Sequence, residues 1–398
     1  MNGKKERGVR MEIEKTTSHQ LLKSINQKKV QHLIFMEGPI SRVELAVKTG
    51  LTQQTVTNIV NRLLDEDTIV EGAPSVSSLG RKPVPLTIKD SSMMAIGIEL
   101  AGKYMRGTLC NFRYDPISTV KRSVYSYESE EGLFTTITSV IDQLLRDVPD
   151  SCRMKGIGLS IQGLVDSKQG IVLRSPGLGW ERFPLAEWIE GKYAMPCYLE
   201  NDVNLLSLNE NMHGCLSGSA NNITLKFDYG IGGAIVAGHQ LIVGANFVAG
   251  ELGHYKAFTN SDAYTCHCGD VGCLTTLAST SGLKNHTGLT VEEIAKLARE
   301  NDLPTLQLFA KIESAIMTAI SNTITFLNPD HVLLTGCIFE MLGASAVDNL
   351  KERVLNNIPK TCRDVRIIEL KEKPNESILA VGLVLKKYFE VPVDSLSL

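Results

Sequence analysis

Three cysteines crowd into Cys266-His267-Cys268-Gly269-Asp270-Val271-Gly272-Cys273, shortly after the histidine of Gly250-Glu251-Leu252-Gly253-His254. Zinc prefers four tetrahedral nitrogen and sulfur ligands, and His254, Cys266, Cys268 and Cys273 supply one imidazole and three thiolates, a closed structural set. Gly269 and Gly272 let the loop turn tightly enough to bring Cys273 back. His267 is the rival imidazole, although sharing a metal with both flanking cysteines is sterically awkward. The alternatives to a metal are buried free thiols or a redox pair. The other six cysteines are scattered singly, which agrees with a reducing compartment rather than a disulfide framework.

A second candidate is Leu199-Glu200-Asn201-Asp202-Val203-Asn204. At the carboxyl end of an apolar strand, Asp202 is placed to accept the proton of a substrate hydroxyl, and Asn201 to bond a neighbouring one. An Asx turn capping the helix from Leu205 to Met212 explains the same residues equally well.

These residues need elements to hold them, and the chain provides two kinds. From His19 to Glu37 apolar residues recur at helical spacing until Gly38-Pro39 stops the run. Ser41 and Glu44 form a capping box for a short helix that Gly50 closes, and Thr52 caps a third helix, with Leu51 and Val56 set for a hydrophobic staple. On that third helix Val56, Ile59, Val60, Leu63 and Leu64 share one face. The opposite face carries Gln53, Gln54, Thr57, Asn58, Asn61 and Arg62, whose amides can bond adenine edges and whose guanidinium can bond guanine. This is the spacing of a helix-turn-helix, whose second helix enters the major groove. Ser41, Arg42 and Thr52 are counted with the DNA-contacting residues. Thr68-Ile69-Val70 and Val84 to Ile88 read as strands flanking the loop from Gly72 to Lys82, a wing that carries Arg81 and Lys82 toward a narrow minor groove. A three-helix packing unit with a charged linker is the bland alternative.

Beyond residue 93 strand and helix patterns alternate: Ala95 to Leu109, Gly132 to Val148, Lys155 to Val172, Ile223 to Val236, Val291 to Phe326 and His331 to Gly336. That alternation predicts two α/β lobes. Charge divides the same way, since residues 1–89 carry a net +5 and the remainder a net −8. A polyanion-binding head on a body that binds something else is the natural reading. No window approaches the roughly 18 uninterrupted apolar residues of a membrane span, and the charged start lacks the apolar core of a signal peptide. A cytoplasmic protein without membrane contact is expected.

The pieces SRVELAVKTGLTQQTVTNIV, GRKP, ENDVN, GELGH and CHCGDVGCL, in that order and spacing, resemble the ROK family of repressors and sugar kinases over nearly the whole chain. The likeness is to its repressor branch, which includes xylose and N-acetylglucosamine repressors. The resemblance implies a winged helix-turn-helix head on a two-lobed, actin-like α/β sugar-kinase body. It implies a double-stranded DNA operator, a sugar or sugar derivative as effector, and self-association as a homodimer or dimer of dimers. It also implies that Asn201, Asp202, Glu251 and His254 line the sugar site, His254 serving zinc as well. The expected domains are a flexible tail over residues 1–18, the head over 19–89, a first lobe over 93–205 and a second over 206–398. The C-terminal helix is expected to return to the first lobe.

Departures from the family pattern bear on catalysis. Where family kinases carry Asp-x-Gly-Gly-Thr, this chain has Glu99-Leu100-Ala101-Gly102-Lys103; where they carry Gly-Thr-Gly-x-Gly, it has Asp228-Tyr229-Gly230-Ile231-Gly232. Phosphoryl transfer depends on positioning phosphate and metal, so no useful kinase activity is expected despite Asp202. Thr275 replaces a sugar-binding Glu and Gly177 an Asn. Each buried sugar hydroxyl left unpaired costs about 1–3 kcal/mol. A sugar kinase with a DNA-binding extension and a repressor controlled by a protein partner are the two alternatives.

Overall fold

The computed structural model describes residues 22–73, 83–89, 93–101, 104–123, 130–259 and 263–389. The chain opens with a helix over residues 22–37 (α1), then β1 (Ile40–Ser41), α2 (Arg42–Thr49), α3 (Gln53–Asp65), β2 (Ile69–Glu71) and β3 (Pro85–Ile88). The expected caps set these boundaries. Ser41 Oγ accepts from the Glu44 amide while Glu44 returns to the Ser41 amide, Gly50 ends α2 with φ 71°, and Thr52 caps α3. Val30, Ile34, Leu45, Val56, Val60, Leu63 and Leu86 form one apolar cluster beneath a three-stranded sheet ordered β1-β3-β2. The wing loop between β2 and β3 includes residues 74–82, so its tip, with Arg81 and Lys82, lies outside the described residues.

The chain continues through β4 (Met93–Leu100), β5 (Tyr104–Asn111), β6 (Pro116–Ser123), α4 (Glu130–Arg146) and β7 (Arg153–Ile161). The short strands β8 (Leu164–Asp166), β9 (Ile171–Ser175) and β10 (Trp180–Phe183) follow, then α5 (Leu185–Tyr193) and β11 (Cys197–Asn201). Next come α6 (Asp202–His213), β12 (Asn222–Phe227), β13 (Ile231–Ala237), β14 (Gln240–Ile242), α7 (Thr275–Ala278), α8 (Thr280–Thr287) and α9 (Val291–Arg299). The last elements are α10 (Leu303–Leu327), β15 (His331–Thr335), α11 (Cys337–Leu342), α12 (Ala344–Asn356), β16 (Arg366–Glu369) and α13 (Glu376–Phe389). One five-stranded sheet is ordered β11-β7-β4-β5-β6 and another β14-β13-β12-β15-β16. Each has its first three strands as a meander, its fourth beside the first and its fifth beside the fourth, so one topology occurs twice. No helix among the described residues is long and apolar enough to cross a membrane.

Two compact units emerge, and they divide the chain differently from the expected split at residue 205. The first comprises the chain to Leu159, Leu185–Leu199 and the chain from Ala380 on; the second comprises Ser160–Pro184 and Glu200–Leu379. Residues 160–184 join the second because β8, β9 and β10 form their own small sheet and Asn201 Nδ2 donates to Gly163 O at 2.9 Å. The head is not set apart as a unit either. Within the first unit Phe35 of α1 stacks on Phe389 at 4.1 Å, and the Lys28 ammonium lies 4.5 Å over the Tyr388 ring while donating to the Tyr388 carbonyl.

In the first unit α4 buries Leu133, Ile137, Val140, Ile141 and Leu144, and a Cβ at Gly107 of β5 would lie 2.4 Å from Val140 Cγ1. In the second, Leu225 and Phe227 of β12 and Leu334 of β15 meet Ile316, Ile320 and Ile324 of α10. Gly158 of β7 is required by α13, since a Cβ there would sit 1.9 Å from the Ala380 carbonyl oxygen. Gly158→Ala is expected to lower stability by about 1–3 kcal/mol, the usual cost of overpacking, read as a lower urea midpoint at unchanged slope.

Candidate functional site

Asn201 ends β11 and begins α6, and its side chain is fully engaged by that junction. Its Oδ1 accepts from the amides of Val203 and Asn204 at 2.9 and 3.0 Å, and its Nδ2 donates to Gly163 O. The helix-capping reading of this motif therefore holds alongside any ligand role. Asn204 Nδ2 donates to Glu200 Oε1 at 3.0 Å.

Asp202 is buried, and one carboxylate oxygen accepts from Lys226 Nζ at 2.8 Å. The same ammonium pairs with Glu376 at 2.5 Å, and Ser160 Oγ donates to Glu376 at 3.2 Å. Lys226 lies on β12, a strand buried at every position. Burial alone would favour its neutral form, but the charges of Asp202 and Glu376 outweigh burial and hold its pKa above the ordinary lysine value. Sequence reasoning missed Lys226. The available signal was a lone lysine inside the apolar run Ile223-Thr224-Leu225-Lys226-Phe227.

Glu99 and Asp228, in the two stretches that depart from the family kinase pattern, have internal partners as well. Glu99, buried on β4, accepts from Tyr104 Oη at 2.5 Å and faces Arg106 Nη1 at 3.6 Å. Asp228 accepts from the Cys337 amide at 2.8 Å and pairs with Lys373 at 3.0 Å. Burial opposes the Asp228 charge, but the Cys337 hydrogen bonds and the charges of Lys226 and Lys373 prevail and depress its pKa. Tyr229 is 61% exposed. A cavity of about 220 Å³ is lined by Thr335, Gly336, Phe339, Glu340, Glu369 and Lys371, among others.

Gly250 has φ 90°, and a Cβ there would stand 2.1 Å from Gly233 O, so glycine lets the Gly250–His254 segment press onto β13. That segment, with a 3-10 turn at Leu252–His254, presents Glu251 and His254. Burial, and then the charge of Asp202, push the Glu251 carboxyl above its usual pKa. Glu251, Asn201, Asn204, Leu164, Val165 and Phe247 are among the residues that line a small cavity. The cavity holds about 10 Å³, room for about one water. Phe247 has φ 61°, a left-handed conformation that costs a bulky residue about 1–2 kcal/mol.

His254, Cys266, Cys268 and Cys273 converge, with one ligand atom from each lying within 4.8 Å of all the others. Cys268 Sγ and Cys273 Sγ are 3.8 Å apart, and Cys266 Sγ and His254 Nδ1 3.7 Å. A tetrahedron with Zn–S distances of about 2.3 Å places its sulfurs about 3.8 Å apart, so the donor set fits zinc in both chemistry and spacing. His254 would ligate through Nδ1, leaving Nε2, 3.8 Å from Glu251 Oε2, as an outward-facing nitrogen. Lys256 donates to Cys273 Sγ at 3.4 Å and pairs with Asp270, placing a cation beside the thiolates. His267 also comes within 3.7 Å of Cys266 Sγ but lies outside the converging set.

In the head, Gln53, Gln54, Asn58 and Asn61 of α3 are exposed, and Gln54 Nε2 donates to Asn58 Oδ1 at 3.1 Å. Thr57 Oγ1 bonds back to the Gln53 carbonyl. Arg62, Arg42 and Ser41 of the expected DNA-contacting set have internal partners too. Arg62 Nη1 donates to Gln27 Oε1 at 2.7 Å, Arg42 pairs with Glu71 at 2.7 Å, and the buried Ser41 side chain serves the α2 cap.

The sequence pattern of the ROK family matches residues 95–383. The xylose repressor of Bacillus subtilis is 29% identical over 325 residues, 80% of this chain and 84% of that one. The DNA-binding transcriptional dual regulator NagC of Escherichia coli is 25% identical over 342 residues, 80% and 82% of the two chains. Among solved structures, a ROK family transcriptional regulator described as a homolog of the E. coli MLC protein aligns with a TM-score of 0.79 at 21% identity. It covers 93% of this chain and 98% of that one. A ROK hexokinase from Thermus thermophilus aligns with a TM-score of 0.60 at 22% identity, over 75% of this chain and 100% of that one.

Two outcomes test the site. Native protein is expected to contain zinc equimolar with chain by metal analysis, and Cys273→Ala to lose it. Lys226→Met should cost about 3–5 kcal/mol at neutral pH, read as a lower chemical-denaturation midpoint beside the parent, because it leaves the buried Asp202 and the partly buried Glu376 without their shared cation.

Proposed function

Since the chain belongs to the ROK family, we propose that it is a sequence-specific DNA-binding repressor of sugar-metabolism genes whose body binds a sugar or sugar derivative. The observation that carries this reading is the solvent-facing amide row of α3, Gln53, Gln54, Asn58 and Asn61, on the second helix of a capped helix-turn-helix. Amides in the major groove bond adenine edges, while Arg81 and Lys82 of the wing enter the minor groove. Arg62 is oriented by Gln27 and acts at the edge of that surface. A homodimer would place two heads on a pseudo-palindromic operator with half-sites one or two turns apart, about 34 Å per turn.

The body is a binding module rather than a kinase. Asp202 would have to release Lys226 to take a hydroxyl proton, and the turns at Glu99 and Asp228 are closed by internal cations and hydrogen bonds where phosphate would need backbone and metal. Glu251 and the outward nitrogen of His254 are the sugar-facing groups, with Asn201 and Asp202 behind them. Zinc on His254, Cys266, Cys268 and Cys273 would fix the loop that carries both. Bound sugar regulates DNA affinity only through a difference in its affinity for two states of the protein. The sequence and this assignment agree with a cytoplasmic protein.

The purified zinc-loaded protein should shift DNA from its own upstream region and not unrelated DNA. Asn58→Ala and Asn61→Ala should each weaken specific binding by about 1–3 kcal/mol while leaving non-specific binding unchanged. No specific shift with intact zinc would remove the repressor reading. Sugar-dependent ATP consumption across a panel of sugars would restore the kinase.

A further inference from the structure

Helix α1 is committed on two sides within the first unit. Toward the recognition helix, the Gln27 amide is used at both ends: its Oε1 accepts from Arg62 Nη1 at 2.7 Å and its Nε2 donates to Glu66 at 3.2 Å. Toward the end of α13, Lys28 donates to the Tyr388 carbonyl and lies 4.5 Å over the Tyr388 ring, and Gln31 Nε2 donates to Tyr388 Oη at 3.5 Å. Phe35 stacks on Phe389 with ring centroids 4.1 Å apart. An ammonium at a helix C-terminus meets carbonyls that the helix itself leaves unpaired, so the head supplies part of the cap that ends α13.

The partners of α1 are themselves packed into the body. Phe112, which follows β5, lies edge-on to both Tyr388 and Phe389 at 5.5 and 5.8 Å, and Phe112 and Phe389 are buried. Lys155, in β7, lies 5.0 Å from the Tyr388 ring, so one ring is shared by an ammonium from the head and one from the body sheet. The chain itself joins the head to β4 through residues 89–92 only. One covalent join does not set the direction of the head, whereas a second, packed contact does.

We propose that Tyr388 and Phe389 are positioning residues for DNA recognition: by clamping α1 they fix the bearing of α3, so that a dimer of this chain reads one half-site spacing rather than a range. This rests on the reading of the chain as an operator-binding homodimer. A head held at a defined angle offers its amide row at one place along the duplex, and tight binding then depends on the separation of the half-sites. A head on a loose tether engages several separations, each at a lower effective concentration. Neither residue belongs to the DNA-contacting set, so their loss acts on the bearing of the head and not on its base contacts.

The test is a gel-shift titration of the full-length zinc-loaded protein and of Tyr388→Ala, Phe35→Ala and Tyr388→Phe. The probes are the operator from the chain's own upstream DNA, the same operator with about 5 or about 10 base pairs added at its centre, a half turn or a whole turn, and a duplex holding one half-site. The parent should bind the native spacing about 10-fold or more tightly than either lengthened operator. Both alanine variants should bind all three spacings within about 3-fold of one another while keeping the parent's half-site affinity. Tyr388→Phe, which keeps the ring, should keep the parent's preference. The inference is overturned if the parent shows no spacing preference, if the alanine variants keep it, if Tyr388→Phe behaves as they do, or if their half-site affinity falls as far as their operator affinity. If the parent shifts no DNA from its upstream region, the operator-binding reading itself falls and takes the inference with it.

Discussion

A buried ammonium group held between a buried and a partly buried carboxylate is the interaction on which the second unit's centre depends. Lys226 lies in a strand that is buried on both faces, where an unpaired charge would be prohibitive, and Asp202 and Glu376 make its presence tolerable. The arrangement is reciprocal, because the carboxylate best placed to act on a sugar hydroxyl is the one that the lysine occupies. Removing the ammonium would therefore not simply restore a base. It would leave two carboxylates repelling each other at a site that now depends on their being paired.

The same economy recurs where phosphate would bind in a kinase of this fold. Glu99 is held by Tyr104 and Arg106, and Asp228 by the Cys337 amide and Lys373. Glu99, which stands where the family pattern has Asp, and Asp228, which stands where it has Gly, each have internal partners. The Gly250–His254 segment contrasts with them. Glu251 keeps an elevated pKa from burial and the Asp202 charge, and its nearest ion-pair partner is the half-exposed imidazole of His254. Polar capacity survives on the side a sugar would touch, and has been taken up on the side a nucleotide would touch.

Much of this was readable from local sequence. Ser41 with Glu44, Gly50 and Thr52 announce the head's helix boundaries because capping is a short-range interaction between residues three or four apart. The four metal donors are legible for a similar reason, since zinc's fixed coordination leaves few ways to arrange one histidine and three clustered cysteines. What stayed hidden depends on long-range or conformational facts. Lys226 finds Glu376 150 positions later. The transfer of Ser160–Pro184 to the second unit follows from β8–β10 pairing and from one Asn201 hydrogen bond. The head joins the first unit through Phe35 and Phe389, at opposite ends of the chain.

Catalysis and recognition draw on different terms. Phosphoryl transfer requires several groups to be placed together around a charged transition state. Regulation by a ligand requires only that two states of the protein bind it unequally, and a difference of about 1–3 kcal/mol, five- to 150-fold in affinity, suffices. The pairing of Asp202 with Lys226 bears on the first requirement and leaves the second open to the Gly250–His254 segment, which that lysine does not hold.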